Sequence, residues 1–146
     1  MLLTREARID APVRPPRRRE RWLAVLGSAG AALAVWLAAV PVAGVDLQVR
    51  MSDTTRDVGP VSVVVSALLA ALAGLDCLAV LRRITKRPVR AWTILASAVL
   101  VVSLSGPLGQ AADTSATVIL VAMHLAVTAV LIPLGRRLAN VPTTPR

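Results

Sequence analysis

The stretch VGPVSVVVSALLAALAGLDCLAVL, residues 58–81, carries a single charge, Asp76. A helix needs ~20 mostly apolar residues to cross ~30 Å of hydrocarbon. This block is long enough to do so. Three others match it: 22–45 and 91–112 hold no charge, and in 114–135 the only ionisable side chain is His124. Lipid offers the backbone no hydrogen-bond partners, so each block must satisfy its own amides and carbonyls as a helix. Ala and Leu favour that state; the many Val do not, but the solvent overrides so weak a preference. The sequence thus predicts an all-α fold, a four-helix transmembrane bundle with spans at about 22–45, 59–81, 91–108 and 115–134.

Local residues mark the boundaries. Pro60 suits the first turn of span two, where a missing N–H costs nothing. Asp113, Thr114 or Ser115 can cap span four. Pro88 keeps span two from running on through the basic loop. Pro41, Gly106–Pro107 and Pro133 are expected to kink or end their helices. Residues 1–21, with Pro12, Pro15, Pro16 and Arg17–Arg19, read as a disordered basic tail. Residues 136–146 form a short second tail.

Composition agrees with the spans. Charged residues make up 17% of 146, against ~25% in a typical soluble domain. The net charge of +9 comes from 17 basic residues, all Arg except Lys86. In a soluble protein that balance would point to nucleic acid. Beside hydrophobic spans, anionic lipid headgroups are the simpler partner. Seven basic residues lie in 1–21, five in 82–90 and three in 136–146, against two in 46–59 and none in 109–115. By the positive-inside rule the termini and the 82–90 loop are cytoplasmic, in a bacterial plasma membrane. Trp22 and Trp92 are then expected at the cytoplasmic interface. A rival reading takes Arg18–Arg19, the first apolar run and Val42-Ala43-Gly44 as an export signal with a cleavage site, leaving three spans. The run of about 23 residues is long for such a signal, whose core is typically ~7–15.

Chemistry-bearing patterns are scarce. Cys77 is the only cysteine, which excludes an internal disulfide and any thiolate-rich metal site. No Gly-rich phosphate loop, HExxH or GxSxG is present. No cofactor or catalytic residue is indicated, and a non-enzymatic role is expected. The 46–59 loop alternates Asp46, Arg50, Asp53, Arg56 and Asp57 and reads as a solvated surface.

Asp76 and His124 are the candidate intramembrane polar sites. Asp76 lies roughly 8 Å inside the core by helix rise, where a carboxylate is costly and needs a partner or water. It is either a proton- or cation-binding group or a structural partner of Arg83, seven residues on. His124 is either a proton relay or ligand contact, or a neutral imidazole bonding a Ser or Thr across helices. Ser62, Ser66, Ala70 and Gly74 recur every four residues and can let helices approach closely, within one bundle or between protomers of a homo-oligomer.

The segments VGPVSVVVSALLAALAG (58–74), RAWTILASAVLVVSLSGPL (90–108) and MHLAVTAVLIP (123–133) resemble an uncharacterised family of actinobacterial four-helix membrane proteins. The likeness covers roughly residues 20–138. It implies four spans and no known activity. The leading expectation is therefore an accessory or interaction component of the membrane. The alternative is a small oligomeric transporter or proton-coupled permease using Asp76 and His124.

Overall fold

The structure, a computed structural model, describes residues 18–51 and 54–140. Helix α1 spans Arg18–Leu37 and runs into a π-helical turn, Ala38–Val42, that contains Pro41. Two short strands follow, β1 (Gln48–Met51) and β2 (Thr54–Asp57). Then come α2 (Pro60–Ile84), α3 (Pro88–Ser103), the short α4 (Ser105–Gln110) and α5 (Thr114–Ala139). Four helical stretches, Arg18–Val42, Pro60–Ile84, Pro88–Gln110 and Thr114–Ala139, are long and apolar enough to cross a membrane. The first and last extend a few residues into what the sequence reads as tails. The rest of those tails lies outside the described residues.

Most of the expected boundary residues act as such. Pro60 and Pro88 each open a helix. Asp113 caps α5, its carboxylate accepting from the Ala116 amide at 2.7 Å and from the Ser115 hydroxyl at 2.7 Å. These two donors hold the Asp113 carboxyl below the usual carboxylate range, the amide contributing most. The third span breaks at Leu104, just before Gly106–Pro107. Pro133 lies inside α5. The helix continues past it to Ala139, where Leu138 and Ala139 are buried in the bundle.

Helix α1 is the centre of the packing, lying against α5 and α2, while α3 lies against α5. Its contact stripe is Ala24, Ser28 and Ala32, every fourth residue and all but fully buried. Small side chains on one face let backbones close up; the Ser28 hydroxyl bonds back to the Ala24 carbonyl at 2.7 Å, so nothing polar is left unmet. Two apolar clusters result. One, at the end bearing the basic 82–90 loop, joins Ala24 and Val25 to Leu75, Leu78, Trp92 and Leu138. The other, toward the hairpin, joins Ala29 and Ala32 to Val63, Ala67 and Met123. Both clusters contain α1 residues, so cleavage after span one would dismantle both.

Trp92, near the start of α3 beside the basic loop, faces the protein core. It is 2% exposed, whereas Trp22 is 53% exposed. The Trp92 ring fills the space left by Gly135, and its Nε1–H donates to the Ile132 carbonyl at 3.3 Å. An indole is large enough to serve as core wherever its N–H finds an acceptor.

The 46–59 segment is more ordered than a solvated loop. β1 and β2 pair antiparallel from Gln48↔Asp57 to Met51↔Thr54. The Ala112 amide donates to the Gln48 carbonyl at 3.1 Å and Arg50 donates to the Ala112 carbonyl at 3.0 Å, tying the hairpin to the α4–α5 connection. Trp36 Nε1–H donates to the Val58 carbonyl at 2.7 Å and fixes the hairpin to α1.

Candidate functional site

Helix α2 packs mainly on α1 and α3 mainly on α5, while α2 and α3 touch each other only lightly. Between them the fold leaves a cleft of about 1170 Å³. Its floor is α5, with Leu120, Met123, His124, Val127 and Thr128; one wall is α2 from Val61 to Cys77; the other is α3 from Trp92 to Ser103. Trp92 closes it at the basic end, and Arg56, Asp57 and Gly59 border it at the hairpin end. Many wall residues are exposed, Ser66, Ala70, Cys77 and Val99 among them, so the cleft is open along its side.

The wall of α2 is smooth for a local reason. Ser62, Ser66 and Ala70, the series expected to pack helices, are exposed and line the cleft. Only Gly74 of that series makes an intimate contact, since a Cβ there would lie 3.2 Å from Leu131 and 3.4 Å from Trp92. The buried face of α2 is instead Val63, Ala67, Ala71, Leu75 and Leu78.

Most polar groups in the cleft are turned back on their own helices. Ser62 donates to the Gly59 carbonyl at 2.7 Å, Ser103 to Leu100 at 2.8 Å and Thr128 to His124 at 2.7 Å. His124 differs. Its Nδ1 is 2.7 Å from the Leu120 carbonyl. A carbonyl only accepts, so Nδ1 carries the proton, and in a neutral ring Nε2 then holds a lone pair. Nε2 has no partner among the described residues and is not sealed from the cleft. Ser66, on the α2 wall, likewise has a hydroxyl without a partner among the described residues.

Asp76 lies elsewhere. It is exposed, does not line the cleft, and pairs with no described residue, Arg83 included. It sits eight residues before the end of α2, roughly 12 Å by helix rise. A carboxylate at the centre of a membrane helix costs ~2.5–3.5 kcal/mol. The structure therefore does not bring Asp76 and His124 into one site. Among the described residues no three His, Cys, Asp or Glu side chains gather where they could hold a metal ion.

The arrangement is one apolar, laterally open cleft with an unengaged imidazole nitrogen about halfway along the membrane-crossing helix α5 and an unengaged Ser66 hydroxyl on the α2 wall. Small-molecule sites of ~300–1,000 Å³ are typically apolar with a few placed polar groups, and this one is of that kind and slightly larger. The signal was only half legible in the sequence: His124 stood out, but the cleft around it depends on how α2 and α3 diverge.

No curated protein and no solved structure matches the chain. Residues 12–141 match a family of unknown function, DUF6069. With that match covering most of its length, the chain, a multi-pass membrane protein by its four apolar helices, belongs to the DUF6069 family.

Proposed function

We propose that the protein is a non-enzymatic accessory component of the bacterial plasma membrane that holds an apolar, hydroxyl-bearing molecule in the cleft between α2 and α3. The observation that carries this reading is the free Nε2 of His124 on the cleft floor. An acceptor in hydrocarbon gains most from a ligand that brings its own donor, and the apolar walls match the rest of such a ligand. The distribution of basic residues supports cytoplasmic termini, with arginines against anionic headgroups. Joint use of Asp76 and His124 for transport draws no support from Asp76, which lies outside the cleft.

Cys77 supplies the test, as an exposed cleft-lining thiol and the only cysteine. The rate of its alkylation in nanodiscs is measured against increasing farnesol and, separately, farnesyl methyl ether, which has no donor. A net hydrogen bond of ~0.5–1.5 kcal/mol gives the alcohol roughly 2- to 10-fold tighter protection. In His124→Leu the two compounds protect equally. Equal protection in the unsubstituted protein, or none by either compound, contradicts the reading.

A further inference from the structure

Another hollow, of about 980 Å³, lies at the end of the bundle bearing the basic 82–90 loop. It forms where the end of α2, the α2–α3 loop, the start of α3 and the end of α5 come together, and it gathers Arg82, Lys86, Arg87, Arg90 and Arg136. None of its lining residues is acidic. The side chains of Lys86, Arg87, Arg90 and Arg136 bond to no other described residue. Arginine stays charged throughout the physiological range, so the positive field here depends on no titration. We infer that this hollow binds the headgroup of a phospholipid that carries two phosphates. The inference rests on the reading above that arginines at this end meet anionic headgroups, and it names the place and the headgroup.

A topology signal requires only that basic residues stay on one side of the membrane. It does not require Arg136, 46 residues beyond Arg90, to converge with the loop on one hollow. Like charges gathered there repel, and an anion between them removes that cost. Guanidinium groups pair with phosphate through two parallel hydrogen bonds. One phosphodiester, with a single negative charge, would leave most of these cations unanswered; two phosphates leave a smaller surplus. The shape selects a lipid over a free phosphate. From Pro88 the hollow continues along α3 to Ile94, roughly 9 Å further by helix rise. Ile94 is 61% exposed and apolar. Positive charge at the membrane end and an apolar flank leading into the span match a headgroup and the start of its acyl chains. The hollow shares no lining residue with the His124 cleft, so it stands whatever that cleft holds.

Lipid titration of the full chain in a neutral detergent, followed by native mass spectrometry, tests the inference. Each basic residue near a headgroup strengthens binding about fivefold. Tetraoleoyl cardiolipin, with two phosphates, is therefore expected to bind at least about tenfold more tightly than dioleoyl phosphatidylglycerol, with one. Inorganic pyrophosphate at equal concentration is expected not to displace it. Arg87→Gln, Arg90→Gln and Arg136→Gln together are expected to weaken cardiolipin binding at least about tenfold. Arg18→Gln, Arg21→Gln and Arg137→Gln remove as much charge from the same end but outside the hollow. They are expected to weaken binding less than about twofold, as diffuse, salt-screened charge. The Cys77 alkylation rate, which reads the other cleft, is expected to be unchanged in both triple variants and so reports intact folding. Equal losses in the two triple variants overturn the site and leave only diffuse attraction to headgroups. Phosphatidylglycerol bound as tightly as cardiolipin overturns the two-phosphate headgroup, and displacement by pyrophosphate overturns the lipid in favour of a soluble phosphate; neither result needs a variant. No lipid bound by the unsubstituted protein overturns the site and the headgroup reading together.

Discussion

Gly135→Ala tests the packing at the basic end of the bundle. Gly135 is buried in the last turns of α5. A Cβ added there would lie 2.7 Å from Trp92 Cζ2 and closer still to Nε1 and Cε2. Ordinary carbon contacts are ~3.5–4.0 Å, so the indole must withdraw by about 1 Å. It is itself 2% exposed and hemmed in by Leu75, Leu78 and Leu138. Such overpacking costs ~1–3 kcal/mol. The Trp92–Ile132 hydrogen bond, already long at 3.3 Å, is lost with the movement, at ~0.5–1.5 kcal/mol. Alanine returns at most ~1 kcal/mol through helix propensity. The net is a loss of roughly 0.5–4.5 kcal/mol, combining those figures. The assay is reversible unfolding in mixed micelles with increasing SDS, followed by tryptophan fluorescence. Gly30→Ala is the control, since a Cβ there meets nothing within 4 Å, and it is expected to be neutral or stabilising. If Gly135→Ala is as stable as the parent while Trp92 stays buried, the packing argument is wrong.

Three further outcomes follow from other contacts. Ser28→Ala is expected to change stability by under ~0.5 kcal/mol, because the Ala24 carbonyl keeps its helical partner, whereas Ser28→Leu, at a fully buried position, is expected to cost ~1–3 kcal/mol in the same unfolding assay. Trp36→Phe removes the donor to the Val58 carbonyl, so amide hydrogen exchange in 48–57 is expected to quicken while that of α2 is unchanged. The Asp113 carboxyl is held low by its capping bonds, so its contribution is present above the unfolded-state value, ~3.9, and is lost as pH falls through the lower folded value. Asp113→Asn keeps a capping oxygen without the charge, and unfolding measured between pH 2 and 6 is expected to lose that part of its acid dependence.

The four spans were legible because a membrane leaves a chain few choices. Charge-free blocks of sufficient length must become helices, and Pro60 and Asp113 mark starts that the structure keeps. Which face of each helix turns inward was not legible. In a helix as uniformly apolar as α2, hydrophobicity does not vary enough around the axis to point anywhere. Of the series Ser62, Ser66, Ala70 and Gly74, only Gly74 packs closely within one copy, and α2 turns Val63, Ala67, Ala71, Leu75 and Leu78 inward. Asp76 was expected to look inward because a carboxylate facing lipid is costly. That Trp92 packs into the core was not legible, since its burial depends on Gly135, 43 positions away in sequence. The hairpin was not legible because its two strands are four residues each and their alternating charges are those of a solvated surface.

His124 is the only histidine, so its two ring nitrogens give unambiguous signals in ¹⁵N-histidine NMR of the protein in nanodiscs. The account predicts a neutral ring protonated at Nδ1, held by the Leu120 carbonyl, with a bare Nε2 whose resonance moves toward that of a hydrogen-bonded acceptor when farnesol is added and stays put with the methyl ether. A proton on Nε2 in the free protein, or an Nε2 resonance indifferent to farnesol, would contradict the claim that this cleft is built around an open acceptor.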